Sequence, residues 1–433
     1  MRILGVGEYC DLGDMYHRLA QAGHETKVYI ADANAGDVFG GMLDITANWH
    51  AELDWIRDAG DSGVVLFESA TNGAVQDALR SKGYQVIGGS AFGDRLEADR
   101  AYGQQVLRDV GLSIAQSILF DDFTKAIDFV KASPGRYVFK NNGADTPRTR
   151  NYVGEMQSGA DMVALLGLYR AQWAGPAKPD FMLMDYLEGV EVGVGAYFNG
   201  RTFLRPACLD WEHKRFFPGD LGELTGEMGT IVTYRGAERI FHLTLGRMER
   251  QLADSGYCGY INLNLIANEE GLWPLEFTSR FGYPGYAICE ALHEESWDRI
   301  FAAMLRRDRA EFATRAGYAA GVVLTVPPFP YRHGYVELSK GSPISFRETM
   351  TDADHERLHF AEVALRDGQL VTSGMIGYVG VATGTGETVQ VAQAAANELA
   401  QKVVVPNVRY RTDIGARLIE HDLARLQRLG YVP

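Results

Sequence analysis

Short apolar runs alternate with amphipathic stretches through the opening of the chain. MRILGVG and TKVYIA read as strands. Between them, DMYHRLAQAGH places Met15, Leu19 and Ala22 on one face and Gly23 near its end, which predicts a helix. WHAELDWIRDAG predicts a second helix, GVVLFE a third strand, GAVQDALRSKG a helix and YQVIGG a strand. Strands separated by helices of this length predict parallel βαβ units in an open, Rossmann-like sheet. Ligands on such sheets sit at the carboxyl ends of the strands, where Gly5, Gly7 and Glu68 fall. GVGEYCDLG is not a G-x-G-x-x-G match, because its third glycine is displaced.

From about residue 97 the texture changes. LEADRAYGQQVLRDVG predicts one helix ended by Gly111, followed by QSILF (strand), DFTKAIDFVKA (helix) and YVFK (strand). After the irregular NNGADTPRTRNYVG come a helix (ADMVALLGLYRAQW) and three β-rich stretches, FMLMDYLEG, VEVGVGAYFNG and RTFLRPACLDW. ERIFHLTLGRMERQLADSG predicts a long amphipathic helix, and YINLNLIANEEGLWPLEF a hairpin with a glycine turn. The remainder predicts mostly short strands, with a helix at VQVAQAAANELAQKV. The fold class expected is a mixture of α/β and α+β in three domains: 1–96, 97–318 with a small lid at about 112–185, and 319–433.

Charge narrows the partners. Lys plus Arg is 42 and Asp plus Glu is 56, a formal net charge of −14. A nucleic-acid partner wants a basic face, so small-molecule substrates are expected instead, bound in local basic pockets. Apolar residues are 46% and charged residues 23%, ordinary for a globular protein. No apolar run is long enough to span a membrane. MRILGVGEYC lacks the pattern of a secretory signal. Cys10, Cys208, Cys258 and Cys289 form no CxxC pair, and a cytoplasmic location is expected. The 49 glycines exceed the usual share of about 7%. They imply many tight turns, or backbone close to a ligand.

Four features carry candidate chemistry. Lys140 ends the strand YVFK, from where a lysine can reach nucleotide phosphates. In FMLMDYLEGVE, the strand and bend around Asp185, Tyr186 and Leu187 suit an adenine held by backbone groups, and Glu191 suits a ribose. Asn264 and Glu276, twelve residues apart on the hairpin, can face each other across two strands and offer oxygen ligands to Mg²⁺ (or Mn²⁺). Arg280 follows Glu276 by four residues, where a guanidinium stabilises charge on a transferring phosphoryl group. Taken singly, each is equally an ordinary surface feature.

In this order, the four features resemble the ATP-grasp family, and within it the phosphoribosylamine–glycine ligases (GAR synthetases). LEADRAYGQQVLRDVGL resembles an E-G-S-K-A-F helix, with Arg100 where a nucleotide-binding lysine is expected. YVFKNNG is similar to V-V-K-A-D-G, and FMLMDYLEGVE to E-E-F-L-x-G-x-E. WEHKRFFPGDLGELTGEMGT resembles D-H-K-R…T-G-G-M-G through His213, Lys214, Arg215, Thr225, Gly226, Met228 and Gly229. PLEFTSRFGYP resembles I-E-F-N-C-R-F-G-D-P, and VRYRTDIGARL a Y-Y-R-x-D-I-G-x-R segment. The resemblance implies an ATP-grasp core, use of ATP with Mg²⁺, and joining of a carboxylate to an amine through an acyl phosphate. It implies that Arg100 and Lys140 hold phosphates, Glu191 the ribose, and Glu276 with Asn264 and Thr278 the metal. Arg280 and Lys214 are the catalytic candidates. Gly7, Glu8, Asn34, Glu68, His213, Arg215 and Gly282 are substrate candidates, in a monomer or homodimer.

Departures from the pattern point to a changed substrate. The family's glycine-rich phosphate loop is NNGADTPRTRNYVG here, so Arg148 and Arg150 are expected to clamp phosphates with side chains. The metal-site Asn is Thr278, and the Asp of R-F-G-D-P is Tyr283. The family's G-N-G-G-R-E-H-A turn is GVGEYCDLGD, which loses the arginine and gains Glu8, Asp11 and Asp14. An acidic first loop suits a cationic or polar amine better than phosphoribosylamine. The alternatives are GAR synthetase itself, or a non-catalytic nucleotide-binding scaffold derived from it.

Overall fold

The computed structural model describes residues 1–141, 151–173 and 178–433. Four parallel strands open the chain: Arg2–Gly7 (β1), Glu25–Ile30 (β2), Gly63–Phe67 (β3) and Val86–Ile87 (β4), in the order β2-β1-β3-β4. Every residue of β3 is buried, and all but the first of β1, as expected of parallel strands covered on both faces. Successive side chains of β1 serve different cores. Ile3 joins the main core with Met15 and Leu19, whereas Leu4 and Val6 pack with Trp49 and Leu79.

Two predicted helices are broken. The first divides into Ala91–Ala98 and Arg100–Asp109. Asp99 between them is extended, and its carboxylate accepts the Tyr102 N–H at 3.0 Å, capping the second helix. The second divides into Glu238–Leu243, the 3₁₀ turn Leu245–Met248 and Glu249–Asp254. Thr244 leaves helical geometry (φ −131°, ψ −97°) and its hydroxyl donates to the Ile240 carbonyl at 2.6 Å. Apolar periodicity runs through both breaks; the side chain that ends each helix does not interrupt it.

A small antiparallel sheet follows, made of Ser117–Phe120 (β5), Tyr137–Asn141 (β6), Tyr152–Val153 (β7) and Phe181–Asp185 (β8), in the order β5-β8-β6-β7. Helices Phe123–Ala132 and Ala160–Gln172 accompany it. Phe123, Phe139, Met162, Leu166 and Phe181 give this unit its own core.

The rest is built on one antiparallel sheet. Its strands are Val190–Asn199 (β9), Phe203–Glu212 (β10), Gly229–Thr233 (β13), Cys258–Asn268 (β14), Gly271–Thr278 (β15), Tyr318–Thr325 (β16), Leu358–Phe360 (β17) and Tyr378–Gly386 (β18). The short hairpin Arg215–Phe217 (β11) and Leu221–Leu224 (β12) stands apart from it. The order is β15-β14-β9-β10-β13-β16-β18-β17. Hydrogen bonding crosses from β13 to β16, where Thr230 lies opposite Gly321, so the C-terminal strands extend the central sheet. Pro274 sits on β15, an edge strand, where its missing N–H costs no ladder bond. Among the described residues, no helix is long and apolar enough to cross a membrane. All four cysteines are buried thiols.

Candidate active site

The sheet register builds a polar floor. Glu276 lies opposite Asn264, Asn264 opposite Gly193, and Gly193 opposite Asp210, one row across four strands. The pairing of Asn264 with Glu276 depends on a bulge: the register slips between Asn264 and Leu265, leaving Leu275 as an extra residue on β15. The next row is Thr278, Asn262, Gly195 and Cys208. Glycines are required in β9 because a Cβ at Gly193 would strike the Asp210 carboxylate, and one at Gly195 the Tyr260 hydroxyl. Here part of the glycine excess keeps backbone clear of buried polar side chains.

Above this floor, between the small sheet and the large one, lies a cleft of about 420 Å³. Val138, Met184, Leu187, Ile266 and Leu275 give it an apolar end. At the other end, Arg100 Nη1 lies 2.5 Å and Lys140 Nζ 3.5 Å from Glu276 Oε2. Lys214 Nζ lies 3.1 Å from Glu212, 3.3 Å from Glu191 and 3.6 Å from Glu276. Asn264 Nδ2 donates to Glu191 Oε1 at 2.7 Å. Burial lowers the affinity of the Lys140 ammonium for its proton, and Arg100 and Lys214 add to this while Glu276 opposes it. Burial disfavours charge on Lys214 as well, but Glu212, Glu191 and Glu276 carry its pKa well above the ordinary value. Burial likewise works against the Glu191 carboxylate, yet Lys214 and Asn264 hold its pKa below the ordinary value.

Of the residues singled out in the sequence, Arg100, Lys140, Asp185, Tyr186, Leu187, Glu191, Lys214, Arg215 and Glu276 line this cleft. Asn264 reaches it through Glu191. Thr278 lies one row away, opposite Asn262. Arg148 and Arg150 lie outside the described residues. The sequence reading missed Glu212, which lines the cleft, and Asp210 beneath it. Their signal is the alternation Cys208, Asp210, Glu212 at the end of a largely apolar strand.

The donors offered at the charged end are hard oxygens, which suit Mg²⁺ or Mn²⁺. Among the described residues, no three His, Cys, Asp or Glu side chains converge as a closed cage. Glu276 and Asn264, facing across the hairpin, are a donor pair that fits a divalent ion completed by phosphate oxygens.

Two domain families match the chain: the phosphoribosylglycinamide synthetase ATP-grasp (A) domain over residues 98–286, and the C domain of the same synthetase over 319–417. The chain is a GAR synthetase-like ATP-grasp protein. Among its relatives is the phosphoribosylamine–glycine ligase of Pseudomonas aeruginosa, 27% identical over 419 residues that cover 94% of this chain and 95% of that one. The Listeria innocua ligase is 24% identical and covers 96% of this chain and all of its own. The solved phosphoribosylamine–glycine ligase of Thermotoga maritima superposes with a TM-score of 0.72 at 24% identity, covering 96% of this chain and 100% of that one. The biotin carboxylase domain of the Hydrogenobacter thermophilus 2-oxoglutarate carboxylase shares the fold, with a TM-score of 0.63 at 12% identity, 99% of this chain and 98% of that one. The GAR synthetase-like chain is therefore an ATP-grasp ligase of the C–N bond-forming class, with a parallel N-terminal sheet and a large antiparallel core.

In this GAR synthetase-like protein the remaining candidates fall outside the cleft. Arg280 Nε pairs with Glu97 at 3.2 Å and faces Asp11 of the first loop. His213 is buried and accepts the Gly415 N–H at 3.0 Å; burial, with Arg411 nearby, lowers its pKa to about 4, so the ring is neutral near pH 7. Arg215, itself a cleft-lining residue, also donates to the Gly222 carbonyl at 2.6 Å. Asn34 lines a separate cavity of about 550 Å³ with Arg332, Tyr335 and Lys340. Glu8 accepts from the Tyr9 hydroxyl at 3.0 Å. Gly282 has open space where a Cβ would stand.

Glu68 packs against Gly7, leaving no room there for a Cβ, and accepts the Asp11 N–H at 2.9 Å. Burial, reinforced by Asp11, raises its pKa from 4.5 to about 8. Between those values the unfolded chain ionises Glu68 while the folded protein keeps its proton. The Glu68 contribution to stability is thus greatest below pH 4.5 and falls as pH rises towards 8, at most by about 1.4 kcal/mol per pH unit. Glu68→Gln is expected to remove this slope, so the variant gains on the parent from about pH 5 to pH 8 in urea midpoints. Parallel slopes for the two proteins would contradict the buried, protonated carboxyl.

Proposed function

We propose that this protein is an ATP-dependent carboxylate–amine ligase that forms an amide through an acyl phosphate, on an acceptor different from that of GAR synthetase. The observation that carries this reading is the cleft with one apolar end and one end where Arg100, Lys140 and Lys214 surround Glu276. The apolar end suits adenine, with the backbone of Asp185–Leu187 reading its edge and Glu191 holding the ribose. Arg100 and Lys140 then exchange Glu276 for phosphate oxygens. Glu276 and Asn264 are the residues that would hold Mg²⁺, which when bound would neutralise charge on the phosphates.

A substrate carboxylate oxygen attacks the γ-phosphorus and ADP leaves. The acceptor amine then attacks the acyl carbon, phosphate leaves, and the amine gives up a proton. The protein's contribution is mainly positioning and charge stabilisation. Arg280, fixed by Glu97, stands beside the first loop where charge on the acyl phosphate would develop.

The test is ADP release from Mg·ATP over a matrix of amino acids and amines. Stimulation by one acid–amine pair is expected; no stimulation by any pair, together with no ATP binding, overturns the reading. Lys140→Met is expected to raise the apparent KM for ATP about 10- to 100-fold, the loss of one charge-assisted contact. Unchanged ATP kinetics in that variant remove Lys140 from the phosphate site.

A second reading, GAR synthetase itself, is favoured by relatives that match nearly the whole chain. Glycinamide ribonucleotide formed from glycine and phosphoribosylamine would establish it.

A further inference from the structure

Glu227 plays no part in the nucleotide cleft just described. It stands at the third position of T-G-E-M-G, where the family pattern T-G-G-M-G has glycine. Its segment runs beside Lys214: Thr225 N–H donates to the Lys214 carbonyl at 2.8 Å, and Met228 N–H to the His213 carbonyl at 2.8 Å. The residue is only 8% exposed. One of its oxygens accepts from the Thr230 hydroxyl, and the other takes no hydrogen bond among the described residues. Asp210, Glu212, Lys214 and Arg280 are the charged groups facing it.

Two more departures from the family pattern come to the same place. Tyr283 replaces an aspartate, and its hydroxyl is buried without a hydrogen-bond partner among the described residues. Tyr283 packs against Tyr378 with ring centroids 5.1 Å apart, and Tyr378 packs against the cluster of Met228, the neighbour of Glu227, so the hydroxyl stands within the influence of Asp11 and Glu227. Asp11 belongs to the first loop, which lost an arginine, and Arg280 faces both Asp11 and Glu227. Positions far apart in the sequence thus surround Arg280, next to the end of the cleft where Lys214 and Glu276 sit.

We propose that Glu227 and the Tyr283 hydroxyl form the acceptor end of the ligase site and select an amine that carries positive charge and no phosphate. This rests on the ligase reading above and names its acceptor class. A phosphate placed here lies among Asp210, Glu212 and Glu227, acids that already disfavour one another's charge. An ammonium finds the unbonded Glu227 oxygen and a phenol able to accept. Burial, with Glu212 and Asp210 adding to it, pushes the Glu227 carboxyl well above its ordinary pKa. A cation that docks there ionises it, and binding releases a proton.

The experiment uses the full chain with Mg·ATP and two probes, over a panel of amino acids as carboxylate donors. Hydroxylamine, small and uncharged at pH 8, traps acyl phosphate as hydroxamate without needing a cation site. Ethylenediamine offers one ammonium and one free amine. Glu227→Gln is expected to keep hydroxamate formation within about threefold and to lose about 10- to 100-fold in kcat/KM for ethylenediamine, mostly through KM. Calorimetry with ADP and Mg²⁺ is expected to show proton release when ethylenediamine binds the parent, and none with the variant. Glu227→Gly, the residue of the family pattern, serves if the glutamine variant folds poorly.

An equal loss for both probes overturns the proposal, as does ethylenediamine neither binding nor reacting. Higher kcat/KM for phosphoribosylamine generated in situ than for ethylenediamine overturns it too. Absence of hydroxamate with every acid instead overturns the ligase reading on which it rests.

Discussion

Glu276→Gln is expected to lower kcat for ADP formation by about 10²–10³, the scale seen when one preorganised charge contact to a transition state is removed. The carboxylate is the point where Arg100, Lys140 and Lys214 meet, and it lies opposite Asn264 across the hairpin. Glutamine preserves shape but removes the charge that pairs with a divalent ion. Two measurements separate its roles. Steady-state ADP release against Mg²⁺ concentration is expected to shift to higher metal. Thermal unfolding without nucleotide is expected to show a loss of stability that ATP largely restores, because phosphates supply the missing negative charge to three clustered cations. A variant within threefold of the parent at every Mg²⁺ concentration would move the metal elsewhere.

Gly193→Ala is expected to be strongly damaging to the central sheet. The added Cβ strikes the Asp210 carboxylate, which is buried and bonded to Asn262 Nδ2 at 2.5 Å. Displacing it costs overpacking energy and strands a buried polar group, together about 3 kcal/mol or more. Because Gly193 sits in the row of Asn264 and Glu276, activity falls along with stability. Gly167→Ala is the control. It lies in the helix Ala160–Gln172 with nothing within 4 Å of a Cβ, and is expected to stabilise by about 0.5–1 kcal/mol. Chemical denaturation of both variants checks the pair; equal effects would mean the floor tolerates a side chain.

The parallel sheet was readable because its strands are short, mainly apolar runs and its helices amphipathic. The facing of Asn264 and Glu276 was readable too, from a spacing of twelve around a glycine turn, although the Leu275 bulge that secures it leaves no mark in an apolar pattern. What could not be read were contacts between segments distant in sequence. Glu212 and Asp210 look like isolated acids on a strand until β9 and β13 flank them. Glu227 looks like one acid in a loop until Tyr283 and Arg280 are brought beside it. The interruptions at Asp99 and Thr244 were hidden for a different reason: a cap and a back-bonded threonine act through single hydrogen bonds, which apolar periodicity does not encode.

The union of β13 with β16 has a practical meaning for anyone dividing this protein. A fragment stopping ahead of Tyr318 would present Gly229–Thr233, buried at all positions in the whole chain, as a bare edge with unanswered N–H and C=O groups. Such an edge recruits strands from neighbouring molecules. The unit around β5–β8, with its separate core, is the more natural piece to excise or exchange, and variation within it can proceed without disturbing the large sheet.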